Sequence, residues 1–241
     1  MKIPPLHSWD LTPEKAIEIQ KHLAARIIQK NDAKTVRYVA GADMAVSQNP
    51  PTAYAGVVVL SYPDLRIVET QQAVLKLTFP YIPGLLAFRE SPVLLKAFEK
   101  LRIEPDMVMI DGQGLAHPRG FGIACHIGLW LGKPTIGCAK SRLFGDHRPP
   151  PLKRGGWTPI TNNHDQVIGA VVRTKNGTNP VYVSIGHSVD LPTVIQFTLD
   201  CAHGYRIPEP TRQADIFAGR FKQQNADQGK NIIKQNKFGW L

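Results

Sequence analysis

"VRYVAGADMAV", residues 36–46, is rich in β-branched and aromatic residues and reads as a β-strand, yet Asp43 interrupts it with small residues on both sides. A lone acid is depleted at strand positions, and burying one without a partner costs several kcal/mol. Working outward from it, "AYAGVVVLSYP" (53–63) and "RIVETQQAVLKL" (66–77) read as two further strands, with "YPDL" as the turn between them. Connections this short imply antiparallel neighbours. Upstream, "DLTPEKAIEIQKHLAARIIQ" carries Ala16, Ile17, Ile19, Leu23, Ala24, Ile27 and Ile28 at helical spacing, which predicts an amphipathic helix.

Beyond residue 78 the pattern changes. "SPVLLKAFEKLR" reads as a helix with Ser91 as N-cap and Pro92 at its first position, followed by the apolar strand "DMVMIDG", a glycine-rich turn and a helix around "FGIACHIGLWLG". "KPTIGCAK" is a short buried strand, and "HRPPPLKRGGW" (147–157) a Pro/Gly/basic loop that no regular element could cross. Strands "QVIGAVVRT" and "VYVSIG" precede helices at about 191–203 and 209–220. A meander followed by alternating helix and strand predicts an α/β domain built on one mixed sheet with helices packed on it. The domain is expected over residues 1–220, with 221–241 as a polar, basic, mobile or peripheral tail.

The 241 residues carry 29 Lys and Arg against 19 Asp and Glu, a formal charge of +10 that favours a polyanionic partner such as nucleic acid. Cys125, Cys138 and Cys201 are odd in number and widely spaced, which indicates neither a disulfide framework nor a zinc ribbon and fits a reducing cytoplasm. No apolar run approaches the roughly 20 residues of a membrane span, and the N-terminus has no signal-like apolar region.

"DGQGLAHPRGFG" lacks the Gly-Lys-Ser/Thr ending of a phosphate loop and the regular spacing of a dinucleotide-binding loop. A tight strand-to-helix connection accounts for some of its glycines but not for Asp111, which ends an otherwise apolar strand where mixed sheets place ligand-binding residues. Asp43 and Asp111 on neighbouring strands would repel, and a divalent cation is the natural compensating charge; two separately solvated strand-end acids are the alternative. Glu90 follows Leu85, Leu86, Ala87 and Phe88, whose burial would hold it near the sheet. Together Asp43, Glu90 and Asp111 would make a hard-oxygen triad suited to Mg2+ or Mn2+ rather than zinc, as two-metal phosphodiester hydrolysis requires. An Asp on the first meander strand, a helix-linked Glu and a strand ending in Asp are the ribonuclease H-like plan. Asp215 sits on the helix opened by "PEPTRQAD", as a fourth acid of the site or as an ordinary surface acid.

In this order, "AGADMAV", "FPYIPGLLAFRE", "DGQGLAHPRGFGIACHIG", "AKSRL" and "YRIPEPTRQAD" closely resemble the endonuclease V family over residues 36–219. The resemblance implies a ribonuclease H-like fold and a magnesium-dependent nuclease. Such an enzyme cuts the second phosphodiester bond 3′ to deoxyinosine or inosine and initiates DNA repair. By the same resemblance Asp43, Glu90 and Asp111 match the metal-binding carboxylates, Asp215 a catalytic position held by Asp or His, and Lys140 a basic residue facing the scissile phosphate. Pro80, Tyr81, Ile82 and Pro83 match a strand-separating wedge. Leu86, Gly112, Gly114, His117, Ile123 and Leu143 match positions in or beside the flipped-base pocket. Arg119 and Arg142, with Arg148, Lys153 and Arg154, would supply phosphate contacts. The expected partner is DNA containing deoxyinosine, single- or double-stranded, with inosine-containing RNA as a further candidate, bound by a cytoplasmic monomer.

Two competing readings share this fold. One is a non-catalytic binder of distorted nucleic acid, against which all four filled acidic positions argue. The other is a different ribonuclease H-like nuclease, such as a junction resolvase or a ribonuclease acting on hybrids, which has no need of the Pro-Tyr-Ile-Pro turn.

Overall fold

The structure is a computed structural model describing residues 1–31 and 35–237, with side chains described through residue 226. In chain order the elements are α1 (Pro13–Ala24), β1 (Tyr38–Gln48), β2 (Pro51–Ser61), β3 (Ile67–Lys76), α2 (Leu86–Phe98), β4 (Met107–Ile110) and α3 (Ile123–Leu131). They continue with β5 (Thr135–Ala139), β6 (Trp157–Thr161), β7 (Val167–Val172), β8 (Val181–His187), α4 (Leu191–Asp200) and α5 (Glu209–Lys237). The strands form one eight-stranded sheet in the order β3-β2-β1-β4-β5-β8-β7-β6.

β1, β2 and β3 are the antiparallel meander, and β4 and β5 run parallel to β1. These five are the ribonuclease H-like sheet. The other three extend it from β5, every added pair antiparallel. β4 and β5 are buried along their whole length, which is why both read as continuous apolar runs instead of alternating ones.

The meander alternates between two cores. Ala40, Ala42, Val57 and Val59 pack with residues of α2 and α3 on one face; Val39, Val58 and Leu60 pack with residues of α4 and α5 on the other. Gly41 and Gly56 belong to the second face, and both lie under α5. A Cβ on Gly41 would run into the Pro210 backbone, and one on Gly56 would come within 2.9 Å of the Phe217 ring. Two strand positions without side chains therefore let the helix carrying Asp215 settle directly on the sheet.

Three expectations are corrected. The helix placed after Glu90 begins at Leu86, so Glu90 lies within it; Ser91 is buried with its hydroxyl unpaired, not capping, and Pro92 is interior. Pro92 removes one helical hydrogen bond, but Ala87, Phe88, Val93, Leu94, Leu95, Ala97 and Phe98 all bury themselves on this helix, and that burial outweighs the loss. β6 was not expected, because Pro159 cannot donate to a ladder. Its Pro159 is tolerated because β6 is the edge strand of the sheet, paired along its length with β7 and bridged on its other side at Thr161 to Asp146. Finally, α5 does not stop near residue 220 but continues to Lys237, with Phe221 meeting Tyr54 edge to face at 5.7 Å.

Candidate active site

The parallel pairing of β1 and β4 sets Ala42 opposite Ile110, so the next residues along, Asp43 and Asp111, stand side by side at the same end of neighbouring strands. The Asp111 N–H donates to the Ala42 carbonyl at 3.3 Å, continuing the ladder one step. By the two-residue alternation Asp43 shares a face with Val39 and Gly41, and Asp111 with Met107 and Met109, which is the side α5 covers. Asp215 comes from that helix.

Burial pushes the Asp43 carboxyl up to about 7, with the Asp111 charge as the next cause; the Met44 N–H, 2.8 Å from its Oδ1, pulls the other way. Glu90, on the first half of α2, is pushed up to about 8 by burial and then by Asp43 and Asp111. Glu90 thus feels both strand-end acids, and Asp43 feels Asp111. Lys140, just past β5, places Nζ 2.6 Å from Asp111 Oδ2 and 3.2 Å from Asp215 Oδ2. Burial opposes its charge, but the two carboxylates outweigh that and hold its pKa above the ordinary lysine value.

Among the described residues, no three His, Cys, Asp or Glu side chains already converge closely enough to hold a metal ion. The cation in contact with Asp111 is the Lys140 ammonium. The donor set nevertheless fits a hard divalent ion: it is all oxygen, and burial keeps two of its acids near neutrality for want of compensating charge. Arg206 in the "YRIPEP" stretch has a part here that the sequence did not disclose. Its Nη2 donates to the Lys140 carbonyl at 2.6 Å and to Pro180 O at 2.9 Å, and its Nε to Asn179 O at 3.0 Å, fixing the backbone from which Lys140 projects.

Beside the acids lies a cavity of about 320 Å³, at the lower end of the ordinary ligand-pocket range of roughly 300–1,000 Å³. Tyr81, Ile82 and Pro83 line it, as do Asp111 and Lys140. Of the expected base-pocket residues, Leu86, Gly112, His117, Ile123 and Leu143 line this cavity. Gly114 does not: its N–H donates to Ser184 Oγ at 2.8 Å, and a Cβ there would strike the Ile185 backbone, so this glycine serves the approach of the loop to β8. Burial, then the Arg119 guanidinium, lowers the His117 pKa to about 4, so the ring is neutral.

The turn at residues 80–83 is anchored from below. Phe79, Leu85 and Phe88 are buried in a small cluster with Ala16 of α1, and Ile82 packs against it, while Tyr81 at the apex is 70% exposed. The two arginines expected on phosphate are engaged within the protein. Arg119 donates to Gln20 Oε1 and Gly84 O, both at 2.6 Å, and so braces the turn at residues 80–83. Arg142 lines the cavity while paired with Asp146 at 2.7 Å on the exposed surface. Arg148 and Lys153 are exposed on the 147–157 loop, and Arg154 reaches the Leu199 carbonyl at 2.7 Å.

The strand-end acids and the sheet order define a nuclease of ribonuclease H-like fold. The sequence pattern of the family described as Endonuclease V matches residues 21–216. Endonuclease V of Dehalococcoides mccartyi is 47% identical over 218 residues, covering 90% of this chain and 97% of its own. The crystal structure of endonuclease V from Streptomyces avermitilis superposes with a TM-score of 0.86 at 38% identity, covering 91% of this chain and 96% of its own. Ciona intestinalis endonuclease V, crystallised with a 24mer DNA containing an inosine followed by a ribo-adenosine, matches at TM-score 0.76 and 27% identity, covering 88% of this chain and 98% of its own. This chain belongs to the endonuclease V family and is a nuclease that hydrolyses phosphodiester bonds. Among the described residues, no helix is long and apolar enough to cross a membrane.

Proposed function

We infer that this chain nicks DNA at the second phosphodiester bond 3′ to deoxyinosine and so initiates repair of deaminated adenine, acting as a monomer. The observation that supports this best is the side-by-side placement of Asp43 and Asp111, the latter lining a cavity that the exposed, braced Tyr81 also lines. The likeness to the Ciona protein bound to inosine-containing DNA supports the same substrate.

Asp43, Glu90 and Asp111 are the residues that would hold Mg2+, with Mn2+ as a substitute. A bound ion of this kind supplies charge that activates water and stabilises the leaving oxygen. Lys140 stands on the rim between Asp111 and Asp215, where an ammonium can meet the negative charge that grows on the scissile phosphate. Tyr81 would stack on bases beside the lesion, offsetting part of the few kcal/mol that extrusion of a base costs. Leu86, Ile123 and Leu143 give the extruded base apolar walls, and the neutral His117 gives it no charge to meet.

The test is an end-labelled strand carrying one deoxyinosine, incubated with Mg2+. A single cut one bond beyond the 3′ neighbour is expected, lost with chelator and in Asp43→Asn. A folded protein that leaves the strand intact with Mg2+, or cuts an inosine-free strand equally well, refutes the reading. Inosine in RNA and a four-way junction complete the panel, and separate RNA substrates and junction cleavage from the DNA reading.

A further inference from the structure

The carbonyl oxygen of Gly84 is approached by three side-chain donors from two separate parts of the chain. Gln20 Nε2 on α1 lies 3.0 Å away, Arg119 Nη2 2.6 Å and His117 Nε2 3.0 Å. The Arg119 backbone N–H donates to His117 Nδ1 at 3.1 Å, which leaves the ring proton on Nε2 and makes the neutral imidazole a donor to Gly84. The amide nitrogen of Gln20 also donates to the Phe121 carbonyl at 3.0 Å, and its Oε1 accepts from Arg119 Nε. Gln20 is completely buried, on a helix face shared with Ala16 and Leu23. A buried amide costs stability unless its polar atoms are paired, and here both are.

The glycine itself is required at this point. Gly84 has φ +79°, the left-handed region, and a Cβ would stand 2.7 Å from Arg119 Nη2. At the other end of the turn Arg89 Nη1 donates to Phe79 O at 2.6 Å. Residues 80–83 are therefore suspended between two pinned carbonyls.

We propose that Gln20 is a positioning residue for the Tyr81 wedge, locking the Gly84 carbonyl together with Arg119 and His117 and tying the turn to Phe121 in the glycine-rich loop that walls the cavity. Residue 20 lies just before the segment matched by the family pattern, and its place on a structural helix carries no signal of chemistry. The clamp orders the turn before substrate arrives, which reduces the entropy lost on binding. It also holds the wedge and the cavity wall at a set separation, so that a base displaced by Tyr81 is presented to the cavity. The proposal rests on reading Tyr81 as a wedge, and it matters where paired strands must be opened.

The experiment compares Gln20→Met, which keeps length and loses both hydrogen-bonding ends, with Gly84→Ala, which disturbs the clamp from the turn side. Each is assayed as the full chain with Mg2+ on one inosine sequence in duplex and single-stranded form. Both variants should lower the duplex-to-single-strand ratio of kcat/KM at least fivefold, with the loss in KM, and 2-aminopurine beside the inosine should brighten less on binding. An unchanged ratio, with the two substrates falling equally or not at all, overturns the proposal and leaves Gln20 a packing residue. Tyr81→Ala separates the two levels. If it lowers the ratio and Gln20→Met does not, the clamp alone is wrong; if it too leaves the ratio unchanged, the wedge reading fails and the clamp falls with it. Should Gln20→Met not fold, Gly84→Ala decides on the same ratio.

Discussion

Asp43 and Asp111 take their places from the register of two parallel strands, whereas Tyr81 sits on a turn with no regular structure, pinned through Phe79 and Gly84. The carboxylate end is geometrically simple and electrostatically strained: burial first, and then neighbouring acids, drive Asp43 and Glu90 far above the ordinary carboxylate range. The Tyr81 end carries no buried acid and is dense in hydrogen bonds, with the Tyr81 ring left in solvent. On the proposed reading the acids are completed by a cation, and the Tyr81 turn is ordered before its ligand comes. Substitutions at the two ends should therefore separate cleanly into effects on chemistry and effects on recognition.

The largest effect is expected at the acids. Asp43→Asn should lower the single-turnover nicking rate about a thousandfold, about 4 kcal/mol of barrier, with lesion binding retained. A loss confined to binding would break the comparison. Lys140→Met should come next, lowering the rate about a hundredfold, as removal of one charge-stabilising donor does. The same variant should tighten Mn2+ binding measured by titration, because the ammonium that now touches Asp111 would no longer oppose the ion. Weaker Mn2+ binding would assign Lys140 to the support of the metal site instead.

Tyr81→Ala should weaken duplex lesion binding about tenfold, in line with the roughly 1–3 kcal/mol that an aromatic contributes by stacking on a base. Mn2+ affinity should not change, and a change would couple the two ends. Smallest is Arg142→Ala. Its exposed pairing with Asp146 is screened, so stability should move by under about 1 kcal/mol. If the side chain turns to phosphate when DNA binds, the salt slope of binding should fall by about 1.

The legible parts of the molecule were those where one residue contradicts its surroundings. Asp43 amid small residues and Asp111 at the end of "MVMI" announced themselves by sitting where acids are costly, and strand register then did what the pattern implied. The element that carries Glu90 was not legible, because Ser91-Pro92 imitates a helix start and tertiary burial along Leu86–Phe98 overrode it. β6 was hidden by a proline that only an edge strand tolerates. The clamp was the least visible. Gln20 stands four residues from Ala16 and three from Leu23 on the apolar stripe, a faint sign of a buried amide, but its partners Gly84, Arg119 and Phe121 are distant in sequence and meet it only in the fold. Arg119 and Arg142 read as phosphate ligands because an arginine pattern cannot show which carbonyls and carboxylates already occupy it.

The claim beneath all of this is that the strand-end acids form a charge-frustrated centre completed by a divalent cation. The Asp43 carboxyl, raised to about 7, imposes no cost below about pH 4, where folded and unfolded chains are both protonated; the cost grows as pH rises between those values and is complete above about 7. Asp43→Asn removes it, on the order of 2–4 kcal/mol. The decisive measurement is the melting temperature of the native chain and Asp43→Asn at pH 8, each with chelator and with Mg2+. The variant should melt higher in chelator, that advantage should vanish toward pH 4, and Mg2+ should raise the native chain well above the variant. Parallel responses of the two proteins to Mg2+, or a variant already less stable in chelator at pH 8, would contradict the account.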